Sequence, residues 1–283
     1  MRKTLFEKNL AVIKEKLINF KTVYSDNDLK LILKVLKDEE LVSKNLSSIA
    51  FFQKLKDEFA LTTYSVQSDK IRKERYSIKK IGIFNIVEAF EKNSFFSMST
   101  SLNIQGLSDI KNNIIFYSKE LSIKPGHDYI DYDLTQEKID NAYSKPYRKT
   151  KNIAKYKDKH LVYLTPKNTN QVGVILYDGY KVSSVNRVLI EMIVNVQYFK
   201  SFNDVIEIFI PLKKQLDPKK INKILKKMNF IYPYLQLLGY ALEEIGFNRN
   251  ELIDFNKNKS EFVFYTNKNS KVYDYSEYWN IRY

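Results

Sequence analysis

From Leu5 to Phe59 the apolar positions recur at three- and four-residue spacings. Leu5, Phe6, Leu10, Ile13, Leu17 and Phe20 predict one amphipathic helix. The next stretch, "YSDNDLKLILKVLKDEE", puts Leu29, Ile32, Leu33 and Leu36 on one face. Ser25 or Asp26 is placed to cap it, and Asp28 lies in the first turn, where a carboxylate suits the helix dipole. After a break at residues 41–45, "LSSIAFFQKLKDEF" aligns Ile49, Phe52, Leu55 and Phe59 as an inward stripe. Three short helices with a tight turn before the last predict a helix-turn-helix.

The period then changes. "ALTTYSV" (residues 60–66) alternates and is rich in Thr, Tyr and Val, which predicts a strand; Gln67-Ser68-Asp69 signals a turn, and "RYSI" a returning strand. A helix-turn-helix followed by a hairpin is the pattern of a winged helix. The hairpin segment "SDKIRKERYSIKK" carries six basic side chains in thirteen positions. Beside a recognition helix such a wing is placed to hold phosphates through Lys70, Arg72, Lys73 and Arg75; a solvated hairpin without a ligand is the competing reading. On the helix, the positions turned away from the predicted stripe are Ser47, Ala50, Phe51 and Lys54, with Asn45 at its start. Asn can read adenine, Lys can read guanine or hold a phosphate, and Phe can meet a thymine methyl or pack on the wing. The predicted base-reading set is Asn45, Ser47, Phe51 and Lys54.

Beyond Lys80 a helical pattern ends at Gly106, and "NNIIFYSKEL" predicts a strand. Residues 124–171 are loop-rich, and "DKHLVYLT" and "QVGVILYDGYKVSS" predict further strands. From Asn186 to Glu251 the texture is helical, with Asp217 before Pro218 as a cap-and-first-turn pair and Gly246 as a stop, before a late strand in "SEFVFYTN". The expected architecture is α+β: a winged helix-turn-helix at residues 1–80 joined to a larger mixed α/β domain at 81–283.

Composition narrows the chemistry. Of 283 residues 44% are hydrophobic and 14% aromatic, enough for a real core. The formal net charge is +14, and residues 1–80 hold 18 Lys or Arg against 11 Asp or Glu, well over twice the charge density of the remainder. A field of that sign attracts nucleic acid, an anionic membrane or an acidic protein; a Lys-rich codon bias is the bland reading of the same number. With no cysteine there are no disulfides, thiolate metal sites or Cys nucleophiles, which fits a reducing cytoplasm. Residues 1–8 are not followed by a long apolar run, and no stretch reaches the length of a membrane span, so neither a secretory leader nor a membrane partner is expected.

Catalytic signals are sparse. His127 and His160 lack ligand-like spacing, and the seven glycines form no phosphate-cradling motif, so no cofactor and no metal is expected. Asp128, Asp131 and Asp133 form one acidic cluster that could hold Mg²⁺ for nuclease work. "KPYRKTKNIAKYKDKH" (residues 145–160) interleaves seven basic residues with two tyrosines, as single-strand binders do, or as a solvated loop does. The lysines of "KKQLDPKKINKILKK" line the outer face of a helix.

Five segments carry a family resemblance: "FFSMSTSLNIQGLSD", "LTQEKIDNAYSKPYRKTKNI", "YLTPKNTNQVGVI", "VSSVNRVLIEMIVNVQYF" and "YLQLLGYALEEIGF". In this order they resemble the AbiEi-type antitoxins of abortive-infection toxin–antitoxin systems, in which a winged helix precedes an antitoxin domain. Arg187, Gly106, Gly239, Tyr240 and Glu243 match by position. Val188 and Glu191 stand where the family often has Thr and Asp, and Gln105 where His is common. The resemblance implies a cytoplasmic, non-enzymatic autorepressor that binds double-stranded DNA at repeats in its own promoter. It also implies that the second domain counters a nucleotidyltransferase-type toxin, often without a stable complex. Lys149, Lys151, Arg187, Glu191 and Glu243 are its candidate residues there. Two other readings stand beside it: a Mg²⁺-dependent nuclease using the Asp cluster, and a nucleic-acid or protein adaptor working through residues 145–159.

Overall fold

The computed structural model describes residues 3–68, 72–110, 113–122, 134–269 and 273–283. The helices of the N-terminal half are α1 (Leu5–Lys8), α2 (Leu10–Phe20), α3 (Asp26–Asp38), α4 (Ser48–Phe59), α5 (Ile83–Phe90), α6 (Met98–Ile104) and α7 (Gln136–Tyr143). Later come α8 (Val185–Val194), α9 (Phe202–Phe209), α10 (Pro218–Met228), α11 (Tyr234–Ile245) and α12 (Ile253–Lys257). The strands are β1 (Thr62–Ser68), β2 (Arg72–Ser77), β3 (Phe95–Phe96), β4 (Ile114–Ser118), β5 (Ile153–Tyr156) and β6 (Lys159–Leu164). They continue with β7 (Val174–Tyr177), β8 (Tyr180–Ser183), β9 (Phe264–Tyr265), β10 (Tyr275–Ser276) and β11 (Ile281–Arg282). Helices and mainly antiparallel strands make the fold α+β. Two compact units share the chain, Met1–Asn93 with Ala154–Leu161, and Ser94–Ile153 with Val162–Tyr283.

In the first unit the helix expected over residues 5–20 is broken at Asn9, whose side-chain amide donates to the Leu41 carbonyl oxygen at 3.0 Å. Thr4 with Glu7 closes a capping box on α1, and Ser25 with Asp28 closes one on α3. Buried Phe6, Ile13, Leu17, Leu33, Phe51 and Leu55 form the centre of the unit's core. Ala60, in the left-handed region, ends α4. β1 and β2 then pair antiparallel from Thr62 with Ser77 to Gln67 with Arg72. Tyr24 joins this ladder by exchanging backbone hydrogen bonds with Tyr76 at 2.8 and 2.9 Å. α5 lies beyond Lys80 but belongs to this unit and packs on β2. The other edge of β1 is taken by β5, with Gln67 opposite Lys155 and Ser68 opposite Ala154. Residues 153–156 of the basic stretch expected to be loop are therefore sheet.

In the second unit β3 pairs antiparallel with β4 and parallel with β8, and β8 turns back antiparallel to β7. The β7–β8 turn is Asp178-Gly179, both at positive φ (47° and 80°), the conformation that favours Asp-Gly in a two-residue hairpin loop. The main core gathers α6, α8, α9, α10 and α11 around Met98, Leu189, Phe209, Leu238 and Trp279. Asp217 caps α10 with Pro218 in its first turn, and Gly246 at φ 108° closes α11. Among the described residues no helix is long and apolar enough to cross a membrane.

Gly239 is closely packed within that core. A Cβ there would lie 2.2–2.8 Å from the ring atoms of Trp279, whose indole is fully buried. Overpacking of a filled core costs about 1–3 kcal/mol, so Gly239→Ala is expected to destabilise the protein by at least that order. Denaturant unfolding followed by Trp279 fluorescence checks this.

Candidate nucleic-acid interface

α4 is held from two sides. Phe6 of α1 meets Phe51 edge-on, with ring centroids 6.3 Å apart, and Phe59 at 6.0 Å. On the other side Phe52 meets Tyr76 of β2 edge-on at 4.7 Å. Phe51 and Leu55 are consequently the buried pair, and Ile49 is 84% exposed. The expected inward stripe and the observed one share Phe52, Leu55 and Phe59 but exchange Ile49 for Phe51. The reason is α1, whose Phe6 offers an aromatic partner on the side of the helix that local periodicity left open.

This corrects the expected base-reading set. Phe51 is 1% exposed and cannot reach a ligand. Lys54 turns toward α1: its ammonium lies 3.9 Å from a Glu7 carboxylate oxygen and 5.3 Å from the centroid of the Phe6 ring. Asn45 and Ser47 are exposed, as expected, at the start of the helix. The Ser47 hydroxyl accepts the Ala50 amide at 3.1 Å, which makes it the N-cap. The face that α4 turns outward is instead Ile49, Gln53 and Lys56, in register at i, i+4 and i+7, with exposed Ser48 and Ala50 beside it. Gln53 donates to the Asp57 carboxylate at 2.8 Å, and Lys56 rests 5.0 Å above the Phe52 ring.

The hairpin is also less free than its charge suggests. Alternation along β2 sends Arg72 and Glu74 to one face and Lys73 and Arg75 to the other. Arg75 donates through Nε to the Ala89 carbonyl oxygen and through Nη1 to the Glu74 carbonyl oxygen, both at 2.8 Å, while its guanidinium covers Phe90. Lys73 pairs with Glu91 at 2.7 Å. Both side chains are thus committed to anchoring α5 and its following residue, and neither stands free at a wing tip. Arg72, with its side chain 63% exposed, pairs with Glu74 at 2.7 Å. The Glu74 carboxyl is held below its ordinary pKa, chiefly by the Tyr76 hydroxyl, which donates to it at 3.0 Å. Lys70 lies outside the described residues. The β5 edge adds exposed Lys155 to the same sheet and exposed Lys157 to the turn after it.

The five candidates of the second unit also separate. Lys149 and Lys151 are exposed, with Lys149 at 5.7 Å from the Tyr198 ring centroid. Arg187 is fully buried. Its Nε donates to Glu191 Oε1 at 2.7 Å, Nη2 to Glu120 Oε1 at 3.1 Å and Nη1 to the Val172 carbonyl oxygen at 2.6 Å, and its guanidinium covers Phe95 at 4.7 Å. Glu191 also accepts from the Ser183 hydroxyl and from the Met98 amide. Glu243 accepts from the Trp279 indole and from Arg249 Nε. Arg187, Glu191 and Glu243 are therefore packing and hydrogen-bonding residues in this unit, with their polar atoms already engaged. A cavity of about 370 Å³, walled largely by Met98, Leu164, Val194, Met228 and Phe230, opens beside Arg187.

Glu120 was not foreseen. Burial alone would raise its carboxyl, but hydrogen bonds from the Thr169 hydroxyl (2.5 Å), the Thr169 amide (2.7 Å) and the Gln171 amide (2.9 Å), with the Arg187 charge, hold it below the ordinary glutamate range. Asp128, Asp131 and Asp133 lie outside the described residues. Among the described residues no group of three or more His or carboxylate side chains is arranged to hold a metal.

Removing one member of a buried ion pair costs about 3–5 kcal/mol, so Arg187→Ala, which strands two carboxylates, is expected to lower stability by that order in denaturant titrations. Because the folded pKa of Glu120 lies below its unfolded value, its contribution is complete above the unfolded pKa and is lost as pH falls through the folded one. The melting-temperature difference between the wild type and Glu120→Gln should therefore shrink on acidification and stay constant near neutrality.

No protein-family model matches the sequence, and no curated protein does. Among solved structures the chain is similar to the crystal structure of the RV2827C protein from Mycobacterium tuberculosis, with a TM-score of 0.56 and 12% sequence identity, over 99% of this chain and 92% of that one. At that identity the likeness concerns the fold.

Proposed function

We propose that the first unit is a winged helix that binds double-stranded DNA through α4, and that the chain is a transcriptional autorepressor and antitoxin of the AbiEi type. It acts in the cytoplasm, without catalysis, on repeats in its own promoter, and its second unit counters a nucleotidyltransferase-type toxin. The observation that carries the DNA-binding part is the outward face of α4. Ile49 is a large apolar side chain left in water on an otherwise well-packed helix, flanked by Ser48, Gln53 and Lys56. An apolar residue beside amide and hydroxyl groups suits the thymine methyl and the polar base edges of the major groove, and a lysine suits a phosphate or guanine. Arg72, Lys155 and Lys157 add positive charge in the same unit for the sequence-independent part of binding. The antitoxin part is supported by the ordered motifs between Phe95 and Phe247.

Fluorescence anisotropy of the full chain against its own upstream DNA and a scrambled duplex, across a salt series, tests the reading. Tighter binding to the upstream DNA is expected. Ile49→Glu should abolish that preference, and Lys56→Ala should weaken binding, whereas Lys54→Ala should leave it nearly unchanged. Equal binding to both duplexes with a steep salt slope would reduce the interaction to the overall charge.

A further inference from the structure

The second unit contains a polar cavity of about 370 Å³ that the proposed DNA-binding role does not use. Five tyrosines, Tyr143, Tyr147, Tyr232, Tyr234 and Tyr265, contribute to its wall. Tyr143 and Tyr265 stack with centroids 5.4 Å apart at 20°, Tyr232 meets Tyr143 edge-on at 6.0 Å, and Tyr147 accepts the Lys268 backbone amide through its hydroxyl at 3.1 Å. Three cations, Lys145, Arg148 and Lys268, line the same space, and no carboxylate does. Among the described residues none of the three forms an ion pair. The Asp140 carboxylate is not part of the lining and already accepts from the Tyr265 hydroxyl at 2.6 Å and the Gln136 amide at 2.8 Å.

Lys268 is the informative member. Its ammonium lies 5.0 Å from the Tyr143 centroid and 5.9 Å from that of Tyr147, so aromatic faces hold it where another protein would place a carboxylate. Burial lowers its pKa, and the Arg148 charge lowers it further. The neighbouring Arg148 charge opposes that of half-buried Lys268, and an anion in the cavity relieves that opposition. One carboxylate would leave two of the three cations unmatched, whereas a phosphate group offers several acceptors and up to two charges. The half-buried rings of Tyr147 and Tyr232 on the same wall suit a flat ring, because stacking on tyrosine accepts any base.

We propose that this cavity is a binding site for a nucleoside phosphate, its phosphate held by Lys145, Arg148 and Lys268 and its base laid against the tyrosine wall. The ligand is either a free nucleotide or the phosphorylated terminal nucleotide of a single strand. The site lies wholly within the second unit and is independent of DNA binding by α4.

Calorimetric titration of the full chain with AMP, UMP, ATP, inorganic pyrophosphate, adenosine and a 5′-phosphorylated tetranucleotide tests it. Saturable binding of one nucleotide per chain is expected, with adenosine and pyrophosphate each at least about tenfold weaker, since each lacks half of the recognition. Lys268→Gln and the exposed Arg148→Gln should each weaken nucleotide binding about tenfold, and Lys223→Gln, an equal loss of charge on α10, should not. Tyr147→Leu should weaken nucleotide binding but not pyrophosphate binding. Arg148→Gln keeps the test decisive if Lys268→Gln fails to fold. Tighter binding of the tetranucleotide, with the same sensitivity to Lys268→Gln, assigns the strand end, and equal or weaker binding assigns the free nucleotide. The proposal is overturned if no nucleotide binds saturably, if pyrophosphate binds as well as nucleotide, or if the Arg148 and Lys268 variants bind like the Lys223 variant.

Discussion

Inside the second unit a single guanidinium, that of Arg187, holds together segments far apart in the chain. It reaches Glu191 one turn along α8, Glu120 just past β4, and the Val172 carbonyl oxygen in the loop before β7. Through Glu191 the same network takes in Ser183 at the end of β8 and the amide of Met98, which opens α6 at a φ of 47° that side chains rarely adopt. The loop around Glu120 is shaped to match: Asn170, Gln171 and Gly173 all have positive φ, and a Cβ on Gly173 would press on Ile224 and on Arg187 itself. A charge this deep is tolerated because each hydrogen bond it needs is supplied by a fixed partner. The arrangement of β4, β8, α6 and α8 rests on that pairing.

The first unit is organised differently, by aromatic edges rather than by charge. α4 is clasped between Phe6 and Tyr76, and the clasp decides which side of the helix is left for solvent. Several basic side chains that look available in the sequence turn out to be engaged inside the unit. Arg75 and Lys73 tie β2 to α5, and Lys54 leans on α1. Charge density in a sequence therefore overstates the charge a fold presents.

Much of the fold was legible before the structure. Caps at Ser25 and Asp217, the stop at Gly246 and the periodicity of α3 and α8 to α11 depend on local chemistry that a sequence states directly. What was not legible depended on partners remote in the chain. The choice between Ile49 and Phe51 as the buried residue was made by Phe6, and the break at Asn9 by the Leu41 carbonyl oxygen. The same holds for the candidate sites. The resemblance singled out Arg187 and Glu191 separately, but only Glu120, just past β4, shows that they belong to one internal network. The tyrosine-and-lysine cavity draws on residues from 143 to 268, a separation across which no spacing rule operates.

The pairing of β5 with β1 has a consequence for how the protein can be made and divided. The first unit is not contiguous: its sheet is completed by residues 154–161, and the segment 94–153 belongs elsewhere. On the ribosome, the β1 edge at Gln67 and Ser68 has no partner until Lys155 has emerged. A fragment cut where the sequence suggests, at Lys80, would carry that open edge permanently. Open strand edges recruit other strands, so residues 1–80 are a poor choice to express alone. The unit's natural boundary in the chain lies beyond residue 161.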